Sequence, residues 1–300
     1  MLVGGHAYTF RKDYQETDVL RQEFNRLTRN TYGFDLEKWY QNGYWSEGCH
    51  LYSLFDGEAI VSHVTVSEMA FSVLGERQKF VQIGTVMTDE FYQKRGLSKA
   101  LLEVVLREWE TKCDLIYLFA NDAVLDFYPK FGFVSVNEYQ VTKSVPVQRK
   151  NNPVRQLDLG IKADRDFLFR VAAEAFPQGR LAMLGGAGMV MLYCGHFELF
   201  TLENNLFYIE ELDAIAVAEY DGVDLILHDI LASEKVDVEL VIDALVKDET
   251  NRVTLGFMPN DMTTYDVALL KEEDSTLFVK RGKESLFEKN KLIFPLLSHT

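Results

Sequence analysis

The sequence predicts an α/β chain, an α+β layered arrangement in which a mixed sheet is flanked by helices, laid out as two tandem domains. Three observations carry this. The 300 residues exceed what one small core requires, because chains divide at roughly 150 residues per domain. The stretch 143–156 holds two prolines, two asparagines and clustered basic residues without an apolar period, and such a segment gains little from burial. On either side of it, patterns of period 2 and period 3.6 alternate in approximately the same order. The expected units are therefore 1–145, a linker over 146–156, and 157–300.

In the first unit a strand over 6–11 precedes a helix over 18–29, where Leu20, Phe24 and Leu27 fall at helical spacing. A short second helix should begin near Asp35 and carry Leu36, Trp39 and Tyr40. A strand over 49–55 ends in the turn Asp56-Gly57, a long strand covers 59–74, residues 76–78 turn, and 80–87 is the next strand. A helix over 96–112 places Leu101, Leu102, Val105, Leu106 and Trp109 on one face, followed by an apolar strand over 115–120 and a helix starting near Asn121. The middle of this order is a strand-loop-helix-strand crossover, which places ligands at strand ends.

In the second unit, strands are expected over 154–159, 198–202, 206–211, 214–220, 223–231, 252–258 and 276–280. Helices are expected over 164–176, 181–193 and 236–246, and Asp221-Gly222 is a strong hairpin turn. The loop Ala232-Ser233-Glu234-Lys235 has no glycine and carries an acidic residue, so a phosphate site there is not expected. The second unit is read as a brace, a wall of an acceptor cleft, or an oligomer face. Tyr265, Glu210 and Glu211 could reach a shared cleft, although a surface role suits them better.

Composition narrows the function. A formal charge of −15 opposes sequence-independent nucleic-acid binding, which needs Lys and Arg to displace counterions. It favours a cationic partner weakly, since global charge steers encounter and names no ligand. Cys49, Cys113 and Cys194 are far apart and form no CxxC pair, so neither a disulfide framework nor a metal site is expected. No run of about 18 apolar residues and no basic-then-apolar leader occurs, which predicts a cytoplasmic protein without a membrane anchor.

The chemistry is concentrated in Gln93-Lys94-Arg95-Gly96-Leu97-Ser98, between an apolar strand and a long amphipathic helix. A helix N-terminus offers free N–H groups and partial positive charge, and Gly96 removes a side chain where a phosphate would approach. Lys94, Arg95 and Lys99 add mobile cations. The bland reading is a tight turn.

Gln93, Gly96 and Ser98 resemble the Gln-or-Arg-x-x-Gly-x-Gly-or-Ala pyrophosphate loop of the GNAT superfamily of acyl-CoA-dependent N-acyltransferases, with Ser98 departing from the third small position. Downstream, Asn121 followed seven positions later by Tyr128 and then by Gly132-Phe133 resembles that superfamily's second cofactor-contacting segment. The resemblance covers about 80–135 and, by element order, the rest of the first unit, leaving 157–300 as a degenerate GNAT-like domain.

It implies an acetyltransferase that takes acetyl-CoA as cosubstrate, needs no metal, and acetylates a small-molecule or peptide amine in a ternary complex; the alternatives are a transferase of a different acyl group and a non-catalytic acyl-CoA-sensing or partner-binding module. It further implies that backbone at Val86, Met87 and Thr88 pairs with the pantetheine arm and polarises the thioester, and that Tyr128 faces the sulfur as proton source. Tyr128 also reads as a core aromatic beside Phe127, Phe131 and Phe133, and Asn121 reads equally as a helix N-cap. Glu68, His63 and Glu90 are base candidates whose plainer reading is a solvated or hydrogen-bonded side chain. Trp39, Tyr40, Tyr44 and Trp45 would line an acceptor slot or a core.

Overall fold

The computed structural model describes residues 1–45, 47–145, 153–195, 197 and 202–300. A two-residue hairpin, β1 (Leu2–Val3) and β2 (His6–Ala7), leads into β3 (Thr9–Lys12). Helix α1 (Asp18–Tyr32) buries Phe24 and Leu27 and stops at Gly33, whose φ of 84° supplies the left-handed C-terminal turn. The short α2 (Glu37–Gln41) is fixed to α1 by Arg21, whose buried guanidinium donates to Glu37 Oε2 at 3.0 Å.

Strands β4 (Cys49–Asp56), β5 (Ala59–Val73) and β6 (Glu76–Thr88) form an antiparallel meander. The turn expected at 76–78 lies earlier, at Leu74-Gly75, so β6 is four residues longer than its apolar part. Helix α3 (Leu97–Trp109) buries the five predicted apolar residues and crosses to β7 (Leu115–Ala120), parallel to β6. The expected helix at Asn121 is instead two 3₁₀ turns, Asp122–Val124 and Tyr128–Phe131, before β8 (Phe133–Ser135). Pro129 lacks the N–H a continuous helix needs, and Gly132 (φ 78°) turns the chain out.

The remaining elements are β9 (Tyr139–Ser144), β10 (Val154–Gln156), α4 (Lys162–Ala173), β11 (Leu181–Leu184), α5 (Ala187–Cys194), β12 (Leu206–Ile209), β13 (Ala214–Asp221) and β14 (Asp224–Leu231). They continue with α6 (Val238–Leu245), β15 (Arg252–Leu255), β16 (Asp266–Leu269), β17 (Thr276–Lys280) and α7 (Ser285–Asn290). The helix expected over 181–193 divides at Gly185 (φ 67°) into β11 and α5. Strand β16 and α7 had no expectation. The linker's 146–152 and most of the strand expected at 198–202 lie outside the described residues.

Two sheets result. One runs β3-β4-β5-β6-β7-β17-β8 with β11 paired to β5; the other runs β10-β12-β13-β14-β15-β9-β16. The second repeats the crossover of the first, since β14 and β15 are parallel across α6 as β6 and β7 are across α3. The halves also exchange strands. β17 lies between β7 and β8, and β9 lies between β15 and β16. Among the described residues no helix is long and apolar enough to cross a membrane, and no group of three His, Cys, Asp or Glu is placed to hold a metal.

Candidate active site

The site begins where a sheet comes apart. β6 and β7 pair only from Phe80↔Leu115 to Gln82↔Tyr117, while β17 runs antiparallel along the other edge of β7. Beyond that point the facing edges of β6 and β7 have no shared ladder. β6 also carries a bulge: the register passes from His63↔Met87 to Thr65↔Gly84, so Thr85 and Val86 together oppose Val64, with Thr85 at φ 38°. A bulge frees backbone groups from the ladder and re-aims them. The bulged residues Thr85 and Val86 border a cleft of about 930 Å³ that is also lined by Met87, Thr88, Gln93, Lys94, Gly96, Leu97, Ser98, Asn121 and Tyr128.

Arg95, the remaining sequence-predicted contact, does not line the cleft. Its guanidinium donates to the Phe91 carbonyl at 2.7 Å and lies 4.6 Å over the Tyr92 ring, stapling the turn that precedes α3. Gly96 is the N-cap of α3 at φ 80°, and a Cβ there would meet nothing nearer than Val3 Cγ1 at 4.0 Å. The glycine is required by the left-handed backbone rather than by local crowding. The N–H groups opening α3 lack intrahelical partners, the arrangement that favours an anion at a helix start. Ser98 Oγ lies 2.6 Å from Thr88 Oγ1, which is 3.1 Å from Ser62 Oγ, so this hydroxyl ties the first turn of α3 to the end of β6.

Asn121 is exposed and precedes the first 3₁₀ turn without a side-chain capping bond. Tyr128 is 6% exposed. Its ring meets Phe127 and Phe133 edge-on at 5.2 and 6.2 Å between centroids, while the residue also lines the cleft. Burial, with Tyr32 adding to it, holds this phenol well above the usual tyrosine range, so it stays protonated at neutral pH.

None of the three base candidates lines the cleft. Glu68 pairs with Lys79 at 2.6 Å, and Glu90 is exposed in the 3₁₀ turn Glu90–Tyr92. His63 is fully buried one layer behind: Nδ1 lies 2.8 Å from Ser53 Oγ and Nε2 lies 2.8 Å from Thr65 Oγ1. Thr65 is in turn hydrogen-bonded to Thr85. Burial pulls His63 down to about 3, so it is neutral and serves here to orient the two threonines.

A second pocket, of about 220 Å³, adjoins the cleft and shares Phe34, Thr85 and Thr300 with it. Trp39 and Trp45 line it; Tyr40 and Tyr44 do not. Tyr40 lies under the Arg21 guanidinium at 3.9 Å, and Tyr44 packs on Phe169 at 5.4 Å. Sequence reasoning missed Met189, Leu192 and Tyr193 on α5, together with His299 and Thr300, because they come from the far half of the chain and carry no local motif. Thr300 is seated by Gln82 Nε2, which donates to its main-chain oxygen at 3.2 Å, and by Gly84, where a Cβ would come within 2.8 Å of that oxygen. Tyr265 bonds Glu239 at 2.8 Å elsewhere, and Glu210 and Glu211 form a separate 3₁₀ turn; none of the three lines either space.

Residues 11–136 match the family model described as acetyltransferase (GNAT) domain. No curated protein matches the chain. Among solved structures, a probable N-acyltransferase from Enterococcus faecalis V583 is similar with TM-score 0.62 and 13% identity, over 91% of this chain and 72% of that one. A GCN5-related N-acetyltransferase from Kribbella flavida has TM-score 0.55 and 15% identity over 90% and 71%. Eis1 from Mycobacterium abscessus has TM-score 0.55 and 13% identity over 90% and 73%. At these identities the likeness is one of fold, and it extends through both halves. The splayed β6 and β7, the bulge at Thr85 and the glycine-capped α3 all lie inside the segment 11–136 that matches the GNAT acetyltransferase domain model.

Proposed function

We propose that the protein is an N-acetyltransferase that moves an acetyl group from acetyl-CoA to an amine by direct transfer in a ternary complex. The observation that carries this reading is the meeting of two spaces at Thr85. One is a long cleft with an anion-binding helix start along its wall; the other is a separate pocket beyond the β6 bulge.

The cleft fits the cosubstrate. The opening turn of α3, with Gln93, Lys94, Gly96 and Ser98, would hold the pyrophosphate, and the ladder groups freed around Thr85 and Val86 would hold the pantetheine amides. Acetyl-CoA supplies the thioester. Amine nitrogen bonds to the acetyl carbon, the carbon–sulfur bond breaks, the nitrogen gives its proton to solvent water, and the thiolate takes a proton from the Tyr128 hydroxyl. A backbone N–H beside the bulge stabilises the oxyanion formed between these steps. The second half contributes α5 as a wall of the acceptor pocket.

The test is calorimetric titration with acetyl-CoA, CoA and octanoyl-CoA, on the wild type and on Gly96→Glu. Saturable binding at one site per chain, tightest for acetyl-CoA and lost in Gly96→Glu, is the expected result. The variant sets a carboxylate beside the pyrophosphate, and Gly96→Ala, which carries the same left-handed backbone strain without the charge, separates the two effects and should bind acetyl-CoA more tightly than Gly96→Glu. Unaltered affinity in Gly96→Glu would show the loop is not the anchor, and no binding of any of the three would remove the enzyme reading.

A further inference from the structure

We propose that the acceptor is an arylalkylamine that binds as its free base, a single aromatic ring on a short amine arm, held in the apolar pocket beyond Thr85; this rests on the N-acetyltransferase reading. Three properties of the pocket lead there. Its walls are Phe24, Phe34, Trp39, Trp45, Met189 and Leu192, and among the described residues no Asp, Glu, Lys or Arg lines it. A polycation would have to leave its charges unpaired there, which protein interiors do not tolerate. The acidic surface therefore does not extend into the place where an acceptor sits.

Size is the second property. A dry cavity of about 150 Å³ accepts benzene, so about 220 Å³ accommodates one ring with a two-carbon arm. It does not accommodate a multi-ring aminoglycoside or an extended polyamine. Trp39 and Trp45 pack on each other with centroids 5.2 Å apart and together make one aromatic wall on which a flat ring can lie.

The third property separates an amine from the competing occupant, a long acyl chain on the donor. Thr65, Ser67 and Thr85 line the pocket together with His299 and Thr300. His299 Nε2 and Thr300 Oγ1 are buried without a hydrogen-bond partner among the described residues. Buried polar atoms without partners cost stability unless a ligand satisfies them. An amine nitrogen near the cleft mouth can bond to these atoms while its ring occupies the apolar end. A saturated acyl chain would leave them unpaired.

The experiment measures CoA release with acetyl-CoA at pH 8.5, using phenethylamine, n-butylamine and spermidine as acceptors, beside calorimetric titration with acetyl-CoA and octanoyl-CoA. The expected kcat/KM is at least tenfold higher for phenethylamine than for spermidine. Leu192→Trp, which fills the pocket, should cut the phenethylamine value at least tenfold with the acetyl-CoA affinity retained. Should Leu192→Trp not fold, Leu192→Ala should shift preference toward the larger tryptamine.

Spermidine used as well as or better than phenethylamine, or no amine used by protein that binds acetyl-CoA, would overturn the acceptor class and leave the donor site standing. Octanoyl-CoA bound more tightly than acetyl-CoA, with that advantage lost in Leu192→Trp, would make the pocket an acyl tunnel and overturn the proposal. Absence of acetyl-CoA binding would instead overturn the reading on which the proposal rests.

Discussion

Tyr128 shows how one side chain can satisfy two sequence readings. Its ring packs among Phe127, Phe133 and Phe278, and the same residue lines the cleft. Core packing therefore fixes the ring in the cleft wall, where the proposed mechanism uses its hydroxyl. Tyr128→Phe keeps the ring and removes the proton, so turnover should fall by roughly 10² or more, the scale of a lost general acid, with acetyl-CoA affinity unchanged. Single-turnover kinetics with a parallel titration check this; unchanged turnover would assign the protonation of sulfur elsewhere. The pH profile adds a sign. An acid works only while protonated, and burial raises this phenol, so an alkaline fall in kcat should begin only above about pH 10, the ordinary tyrosine value. The rising limb of kcat/KM belongs to deprotonation of the amine, since the pocket has no carboxylate side chain among its described lining residues. A descending limb centred below pH 9 would rule out Tyr128 as the group that titrates. At this scale the place of Gln93, Gly96 and Ser98 beside the cleft was legible because they resemble a known loop pattern and a glycine before an amphipathic run marks a helix start. Arg95 was not, because its stacking on Tyr92 depends on a turn whose shape the spacing does not give.

At the scale of elements, the crossover β6-α3-β7 was readable from its periods, while the segment that completes the site was not. Residues 292–300 have no period of their own. They are placed by contacts with elements far away in sequence: Phe294 stacks on Tyr117 at 4.0 Å, His299 stacks on Phe119 at 4.0 Å, and Thr300 lies against Gly84. One clasp in this segment is testable by pH. The Phe294 N–H donates to Glu138 Oε1 at 2.7 Å, and burial pushes that carboxyl up to about 8. An unfolded chain releases this proton near pH 4.3, whereas the folded chain keeps it. Stability should therefore fall as pH rises from about 4.3 to about 8 and level off above, because the folded state binds the extra proton throughout that window. Glu138→Gln retains an acceptor for Phe294 and cannot ionise. Urea midpoints for the wild type should decline between pH 5 and pH 8 relative to the variant, and parallel curves would show that Glu138 is ionised in the fold. The same reasoning predicts tighter seating of His299 and Thr300 on the acid side, seen as slower amide exchange across 294–300.

For the whole molecule, the order of strands says how many sheets a chain can build but not which half owns each strand. The apolar run Leu277-Phe278-Val279 reads as a strand wherever it lies; only the structure places it against β7 and β8 of the first sheet. Likewise β9, which precedes the expected linker, pairs with β15 and β16 of the second. The apolar clusters follow these exchanges. Phe287, Leu292 and Phe294 share a core with Phe71, Phe80 and Tyr117, and Trp39 joins the core of α4 and α5 while its Nε1 donates to the Gly188 carbonyl at 2.8 Å. A chain cut after residue 145 would lose β17 and expose the 117–120 edge of β7 with half its core partners removed. An open apolar edge recruits other chains rather than standing alone. We therefore expect the 1–145 fragment to be aggregated or collapsed without fixed packing, although it contains every described lining residue of the long cleft except those contributed from 274, 275 and 300. The full chain should unfold in urea in one transition seen identically by far-ultraviolet circular dichroism and tryptophan fluorescence, because the exchanged strands make each half part of the other's sheet. Well-dispersed amide resonances and acetyl-CoA binding in the fragment would show instead that the exchange orders the acceptor pocket without being needed to fold the donor half.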